Sequence, residues 1–284
     1  MACSGRGGGM IEANTIALPL ERLPLEAIAI AAPDKVATSS SAAEFLDFHF
    51  ESGSQAQVER AIAARRPNAH FAYVVTPNVD HLVRIQYFRS DLWPAYRHAW
   101  LTLCDSRILA RMAAWTGVSL KVVPGSDLTA AIFHHVVRSQ DRVAIVGGDG
   151  AMVERLSKTY GLSNVHHYDP PMGFIDNPEE VGRAVDFVTA ANPRYTFIAV
   201  GSPQQEILAY RLEKLSLATG IGFCVGASLE FLTGVQTRAP RIFQLLSIEW
   251  LFRLLSNPRR LWKRYLIDGP LVFLLYWAWR RRVS

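Results

Sequence analysis

The chain has 284 residues, half of them hydrophobic, which is enough to bury the core of one large domain and a smaller appended unit. Cys3, Cys104 and Cys224 are odd in number and widely spaced, so they indicate neither a disulfide framework nor a cysteine-rich zinc site. The first two dozen residues lack an apolar stretch behind a basic start, and no run reaches the roughly eighteen to twenty apolar residues of a spanning helix. We therefore expect a cytoplasmic protein without a transmembrane segment.

The formal net charge of +5 is concentrated at the carboxyl end of the chain. Residues 238–284 hold ten Lys or Arg against Glu249 and Asp268, a local charge of +8, which leaves −3 on the other 237 residues. A basic segment on a slightly acidic body indicates an anionic partner for that segment, such as lipid headgroups, a diphosphate or a nucleic acid.

The amino-terminal part predicts a flexible tail followed by short elements. Residues 1–24 contain a run of glycines and are predicted to be the tail. Residues 25–32 fit an edge strand or a hairpin, and the segments 42–48 and 55–65 are predicted to be helices that lead into a sheet.

From about residue 70 to residue 230, short β-rich runs alternate with longer helical patterns, as in βαβ units. The predicted strands are 71–75, 100–104, 120–123, 142–146, 164–168, 195–200 and 221–225. This alternation predicts an α/β fold, a doubly wound, mostly parallel Rossmann-like sheet, with the domain spanning 25–236. Ligands bind outside the carboxyl ends of the strands in such sheets, so we expect the loops there to form an active-site rim.

The last segment, 237–284, is predicted to be a helical appendage rich in basic and aromatic residues. The expected elements are a hinge at 237–240, a helix at 242–255, a break at Asn257-Pro258, a helix at 259–267 and an apolar stretch at 270–279. That stretch is too short to span a bilayer and ends in three arginines. Indoles and cations together suit a membrane interface, although the aromatic rings would also serve to pack the appendage onto the sheet.

Two carboxylates at the predicted rim are candidate site residues. Asp105 directly follows the strand 100–104, where it can accept the proton of a substrate hydroxyl, as the base of a transferase must. An Asp-Ser pair at a strand end is about equally typical of a helix N-cap. Asp127, in the segment Pro-Gly-Ser-Asp-Leu, is the second candidate, and capping is the commoner role for an aspartate at a helix start.

The loops after two other strands carry polar or glycine-rich motifs. Thr76 and Asn78 follow the strand 71–75, and Asn78 would either cap the next helix or aim its amide at a ligand. Gly147 and Gly148 follow the strand 142–146 in a Gly-Gly-Asp-Gly turn. Such a turn would cradle a phosphate or simply allow a tight reversal into a helix.

The segment after the strand 195–200 is the most polar part of the rim. Gly201 and Pro203 precede Gln205 and Glu206, whose amide and carboxylate groups suit the recognition of a base or a sugar. Arg238, after the last strand, would contact a diphosphate or remain solvated.

Two other functions stay open on these grounds. A nucleotide-binding oxidoreductase would share the fold, but Gly-Gly-x-Gly is not the dinucleotide fingerprint and no acidic residue ends the following strand. A basic nucleic-acid-binding module would explain the charge of the tail but not the rim motifs. The adjacent histidine pairs lack the spacing of metal ligands, so no metal site is predicted.

Six segments in the same order resemble the WecG/TagA/CpsF-type glycosyltransferases, glycosyltransferase family 26. They are VVTPNVDH, the strand end at Asp105, VVPGSDL, IVGGDG, AVGSPQQE, and RAPRIF followed by IEWLFRLLSNPRRLWKRYL. The resemblance implies an inverting, metal-independent transfer without a cofactor. The donor would be a UDP-sugar of the N-acetylmannosamine, N-acetylmannosaminuronate or glucose type, and the acceptor a polyprenyl-diphosphate-linked sugar in cell-surface or exopolysaccharide assembly.

Carried over by position, the resemblance assigns Asp105 as the catalytic base and Thr76 and Asn78 to the substrate pocket. It assigns Gln205 and Glu206 to a G-x-P-x-Q-E element. The tail arginines match an appendage that docks on the inner face of the membrane and closes over the site: Arg238, Arg253, Arg259, Arg260 and Arg264. The implied partners are the UDP-sugar, the lipid-linked acceptor and an anionic membrane surface, with no nucleic acid and with homo-oligomerisation left open.

One departure from the family pattern concerns the catalytic segment. The family usually has Asp-Gly where this chain has Asp105-Ser106-Arg107, which makes the rim bulkier and more basic. The identity of the donor sugar or of the acceptor therefore stays open.

Overall fold

A computed structural model describes residues 42–215, 218–235 and 249–283. The predicted tail 1–24, the strand or hairpin at 25–32 and the hinge at 237–240 lie outside the described residues. Within the described ranges, no helix has both the length and the apolar character that crossing a bilayer requires.

The first described element is a β-hairpin, and the prediction of a helix over 42–48 is wrong. Strands β1 (Ala43–Phe45) and β2 (Phe48–Phe50) are antiparallel. Leu46 and Asp47 between them both have positive φ, as a two-residue hairpin turn requires. Phenylalanines point inward at alternate positions of the strands, so the hydrophobic period is two and not that of a helix.

A six-stranded parallel sheet forms the centre of the domain and confirms the predicted α/β fold. Its strands are β3 (Ala72–Val75), β4 (Leu101–Thr102), β5 (Val143–Val146), β6 (Val165–Tyr168), β7 (Tyr195–Ile198) and β8 (Ile221–Cys224). The spatial order is β4-β3-β8-β7-β5-β6. Strands β3, β5, β7 and β8 are buried along their whole length, because helices cover both faces of the sheet.

Two predicted strands are shorter than expected. The run 100–104 contributes only the two residues of β4. The run 120–123 forms no strand, and a single bridge joins Val122 to Cys104. Both runs lie at the edge of the sheet, where a strand has only one neighbour to stabilise it.

Helices follow most strands, and the helix predicted at 55–65 is confirmed as α1. The described helices between residues 55 and 232 are α1 (Gln55–Ala64), α2 (Val79–Val83), α3 (Trp93–Arg97), α4 (Arg107–Ala114), α5 (Gly125–Ala131), α6 (Gly150–Tyr160), α7 (Pro178–Ala191), α8 (Gln204–Lys214) and α9 (Ser228–Leu232). Single π-helical turns, Arg84–Phe88 and Ile132–Val136, extend α2 and α5, and short 3₁₀ turns lie at Ser90–Leu92 and Phe174–Asp176.

The core divides into two clusters, one on each face of the sheet. Alternate residues of β3 contribute to different clusters, with Tyr73 and Val75 in one and Ala72 and Val74 in the other. The first cluster also takes in buried residues of α2, α3, α4, α7, α8 and the hairpin. The second takes in α1, α5, α6 and α9. This arrangement makes the sheet doubly wound, with the carboxyl ends of all six strands at one edge.

The described part of the carboxyl-terminal region, 249–283, is helical, as expected, whereas residues 242–248 of the predicted helix 242–255 lie outside the described residues. Helices α10 (Glu249–Ser256) and α11 (Pro258–Trp262) are separated at Asn257, which confirms the predicted break. A π-helical turn, Lys263–Asp268, follows α11. The last helix, α12 (Leu271–Val283), extends past the predicted apolar stretch through the three arginines.

Helix α12 is part of the first core cluster. Its buried side chains are Val272, Leu275, Tyr276 and Trp279. The ring of Trp279 meets that of Phe45 edge-on, with centroids 5.3 Å apart, and Arg282 forms an ion pair with Asp47 at 2.7 Å. The hairpin and the final helix therefore hold each other against the sheet.

We predict that Phe45→Ala lowers the free energy of unfolding by about 3–5 kcal/mol, because it removes a fully buried ring from this contact. Urea unfolding followed by tryptophan fluorescence measures the effect. The matched control is Phe88→Ala, whose ring is 59% exposed and should cost less than about 1 kcal/mol. Equal losses in the two variants would contradict the packing described here.

Candidate active site

The loops that follow β3 and β4 meet at the carboxyl edge of the sheet. Asp105 lies just beyond β4, and its backbone amide donates to the carbonyl oxygen of Pro77 at 3.2 Å. The amide of Gly125, the first residue of α5, donates to Asp105 Oδ1 at 2.8 Å. Three segments that are separate in sequence are thus joined around one carboxylate.

Thr76 belongs to the same group because it lies against Gly125. A Cβ atom added to Gly125 would come within 2.7 Å of Thr76 Oγ1, closer than real contacts allow. Glycine is therefore required where the helix start approaches the threonine. Thr76 and Asp105, two of the predicted site residues, are brought together on either side of this glycine.

Several other predicted residues occupy helix starts around this group. The side chain of Asn78 caps α2 by accepting from the amide of Asp80 at 3.1 Å, which is the capping alternative considered above. Asp127 lies in the first turn of α5. Ser106 caps α4 by accepting from the amide of Leu109 at 3.3 Å, and this gives a structural reason for a serine after Asp105.

The glycines after β5 make a tight turn into α6. Gly147 and Gly148 both have positive φ. A Cβ on Gly147 would lie 2.8 Å from Val200 and 3.0 Å from the backbone of Ala199, so the turn also needs glycine for close approach to the end of β7. Asp149 caps α6 by accepting from the amide of Met152 at 2.6 Å. These contacts favour the tight-turn interpretation of the motif.

The loop after β7 carries its polar groups inward. Gly201 has positive φ, and Pro203 precedes α8. Gln205 Oε1 accepts from the amide of Gly226 at 2.8 Å, and its Nε2 donates to Glu206 Oε1 at 2.8 Å. Both side chains are buried, and burial raises the pKa of Glu206. The two residues therefore brace the loop after β8 against the loop after β7.

The carboxylate of Asp80 joins the carboxyl-terminal region to α2. Its Oδ2 accepts from Arg84, one turn further along the chain, and forms an ion pair with Arg264 Nη2 at 3.1 Å. Arg84 Nη1 donates in turn to Ser202 Oγ at 2.9 Å. A charged network thus connects the turn after α11, the segment after β3 and the loop after β7.

Comparison with known proteins decides the family. The chain matches the profile of the Glycosyl transferase WecG/TagA/CpsF family over residues 43–284. It belongs to this family. A curated relative, "N-acetylglucosaminyldiphosphoundecaprenol N-acetyl-beta-D-mannosaminyltransferase" from Bacillus spizizenii (strain ATCC 23059 / NRRL B-14472 / W23), is 28% identical over 149 residues. That alignment covers 51% of this chain and 55% of the relative, so the chain spans about half the length of the relative it matches.

The predicted tail arginines of this WecG/TagA/CpsF family member differ in how far the structure describes them. Arg238 lies outside the described residues, and the side chains of Arg253 and Arg260 are likewise not described. Arg259 is exposed, and Arg264 is partly buried in its pair with Asp80. Within the described ranges, no three His, Cys, Asp or Glu side chains are grouped as metal ligands would be.

Sequence reasoning missed the roles of Asp80, Arg84 and Ser202. The spacing of Asp80 and Arg84 is that of an ion pair on one helical face, so a local signal existed. No local signal could pair Asp80 with Arg264, because that contact depends on how the carboxyl-terminal helices dock.

We predict that Glu206→Gln stabilises the protein increasingly as the pH rises above about 4.5, the ordinary pKa of a glutamate. The carboxyl group has a raised pKa in the fold, so it stays protonated where the unfolded chain is already ionised, and the wild type loses stability over this range. Glutamine is neutral throughout and keeps an oxygen for Gln205. Urea unfolding of both proteins at several pH values measures the difference, and a difference that does not change with pH would contradict this account.

Proposed function

We propose that this protein is an inverting glycosyltransferase that moves a sugar from a UDP-sugar to a polyprenyl-diphosphate-linked acceptor. Membership of a glycosyl transferase family supports a transferase over the oxidoreductase and nucleic-acid-binding alternatives. The observation that carries the site assignment is the convergence of Thr76, Asp105 and the start of α5 at the carboxyl edge of the sheet. In doubly wound folds this edge is where ligands bind.

Asp105 serves as the base in this proposal. The acceptor hydroxyl gives its proton to the carboxylate as its oxygen attacks the anomeric carbon, and UDP leaves from the opposite face, so the configuration inverts. The Gly125 amide holds Oδ1 in place, and the Pro77 carbonyl holds the backbone of the same residue. A base that is fixed from two sides loses little freedom when the acceptor binds.

The leaving diphosphate gains negative charge, which the site must stabilise. Helices α5 and α8 begin at this edge of the sheet, and the positive ends of helix dipoles favour anions. We assign further stabilisation to the arginines of the carboxyl-terminal region, Arg238, Arg253, Arg259 and Arg260. Thr76, Asn78, Asp127, Gly147, Gly148, Gly201 and Pro203 remain the proposed substrate-contacting residues, whereas Gln205 and Glu206 act by bracing the loops.

The relative suggests the acceptor class. The name of that relative describes transfer of an N-acetylmannosaminyl group to N-acetylglucosaminyldiphosphoundecaprenol. We propose an acceptor of the same lipid-diphosphate type here, with a UDP-activated N-acetylmannosamine, its uronate or glucose as donor, in assembly of a cell-envelope or secreted polysaccharide. A cytoplasmic UDP-sugar donor and a lipid-linked acceptor together support the proposal that the protein acts on the cytoplasmic face of the membrane.

The outer face of α12 suits that location. Phe273, Leu274 and Trp277 are exposed there, while other side chains of the same helix are buried in the core. Arg280 and Arg281 follow on the exposed side. Apolar rings at headgroup depth and adjacent cations are the features by which peripheral helices bind anionic lipid.

We predict that Asp105→Asn slows turnover by about 100-fold or more while donor binding changes little, because the amide cannot accept the proton. The assay measures UDP release across UDP-sugars, with and without a short polyprenyl-diphosphate N-acetylglucosamine. The matched control is Asp169→Asn, an exposed aspartate that directly follows β6. Near-normal turnover of Asp105→Asn would remove this residue from the role of base, and absence of UDP release with every donor would contradict the proposed function.

We predict that Trp277→Ser weakens binding to vesicles of phosphatidylcholine and phosphatidylglycerol about 5- to 10-fold, because an exposed indole would no longer enter the interface. Sedimentation with vesicles at low and high salt measures the affinity, and higher salt should weaken binding of the wild type. The control is Met172→Ser, a fully exposed apolar residue after β6. Equal affinities of Trp277→Ser and the control would contradict this docking face.

A further inference from the structure

One carboxylate contacts two guanidinium groups at the junction between the carboxyl-terminal helices and the sheet. Both Arg84 and Arg264 contact Oδ2 of Asp80. The three side chains are at most about one-third exposed, so solvent screens the charges only in part. Without Asp80, two like charges would face each other across this junction.

Glu206 also interacts electrostatically with Arg84, and burial raises the pKa of its carboxyl group, so Asp80 is the carboxylate that contacts both arginines. His81, the next residue, is buried, and burial together with the charges of Arg84 and Arg264 lowers its pKa to about 3. It is therefore neutral at physiological pH. Among the described side chains, Asp80 thus provides the direct ionic link between the two guanidinium groups.

The cluster also reaches the two loops that border the proposed site. Asp80 lies two residues after Asn78 and donates its backbone amide to the side chain of that residue. Arg84 donates to Ser202, in the loop that leads into α8 and to Gln205. Asp80 therefore links Arg264 directly to the loop after β3 and, through Arg84, to the loop after β7.

We propose that Asp80 is a positioning residue that couples docking of the segment 258–268 to the arrangement of the loops after β3 and β7. This inference rests on the proposed function for its effect on turnover. When Arg264 is in place, Asp80 holds Arg84 toward Ser202, and both loops keep the geometry of the substrate pocket. When Arg264 leaves, Arg84 alone retains the carboxylate and the segment 258–268 is free to separate.

The test uses the full chain and hydrogen exchange followed by mass spectrometry. Asp80→Asn should raise the exchange rate of backbone amides in the segment 258–268 by about tenfold, because a hydrogen-bonded charge pair is lost. Asp80→Glu keeps the charge and should return the rate to within about threefold of the wild type. The control is Asp91→Asn, which removes the exposed pair with Arg89 nearby in the chain and should leave the segment unchanged.

Turnover gives the second measurement. Asp80→Asn should lower kcat/KM for UDP release by about tenfold or more, and Asp80→Glu should recover most of it. Arg264→Met should raise exchange as Asp80→Asn does, and the double variant should add little to either. Unchanged exchange in Asp80→Asn, additive effects in the double variant, or raised exchange with normal turnover would each overturn the coupling. If the wild type releases no UDP while the exchange results hold, the proposed function fails and the structural link stands.

Discussion

A hydrogen bond from the Gly125 amide to Asp105 Oδ1 sets the geometry on which the rest of the rim depends. The donor is a backbone group at the start of α5, so its direction is fixed by the fold and not by a rotatable side chain. Thr76 lies against the same glycine, which leaves no space for a side chain at that position. The loop after β3, the loop after β4 and the start of α5 are therefore held in one arrangement, and the carboxylate of the proposed base lies at their junction.

The polar residues of the rim motifs fall into two groups, which their residue types alone do not distinguish. Asp105 and Thr76 lie at the edge of the sheet, where a ligand can meet them. Gln205 and Glu206 are buried, and each hydrogen bonds within the protein. Burying an amide or a carboxyl group is costly unless such bonds are made. The bonds also tie the loop after β8 to the loop after β7.

Much of the fold could be predicted from the sequence because the parallel strands are continuous apolar runs ending in turn residues. The hairpin at Ala43–Phe50 could not, since Leu46 and Asp47 adopt positive φ without the glycine or asparagine that usually marks such a turn. The candidate site was predictable as a set of strand ends. The burial of Glu206 was not, because it depends on how closely the ends of β7 and β8 approach. The pairing of Asp80 with Arg264 depends likewise on docking of distant helices.

The packing of α12 has a practical consequence for testing the proposed membrane contact separately from folding. Phe45 of the hairpin packs against Tyr276 and Trp279, which share a helix with the exposed Phe273, Leu274 and Trp277. Deletion of this helix would expose Phe45 and other buried side chains of the first core cluster and promote aggregation. Changes confined to the outward side chains would instead leave the hydrophobic interior closed.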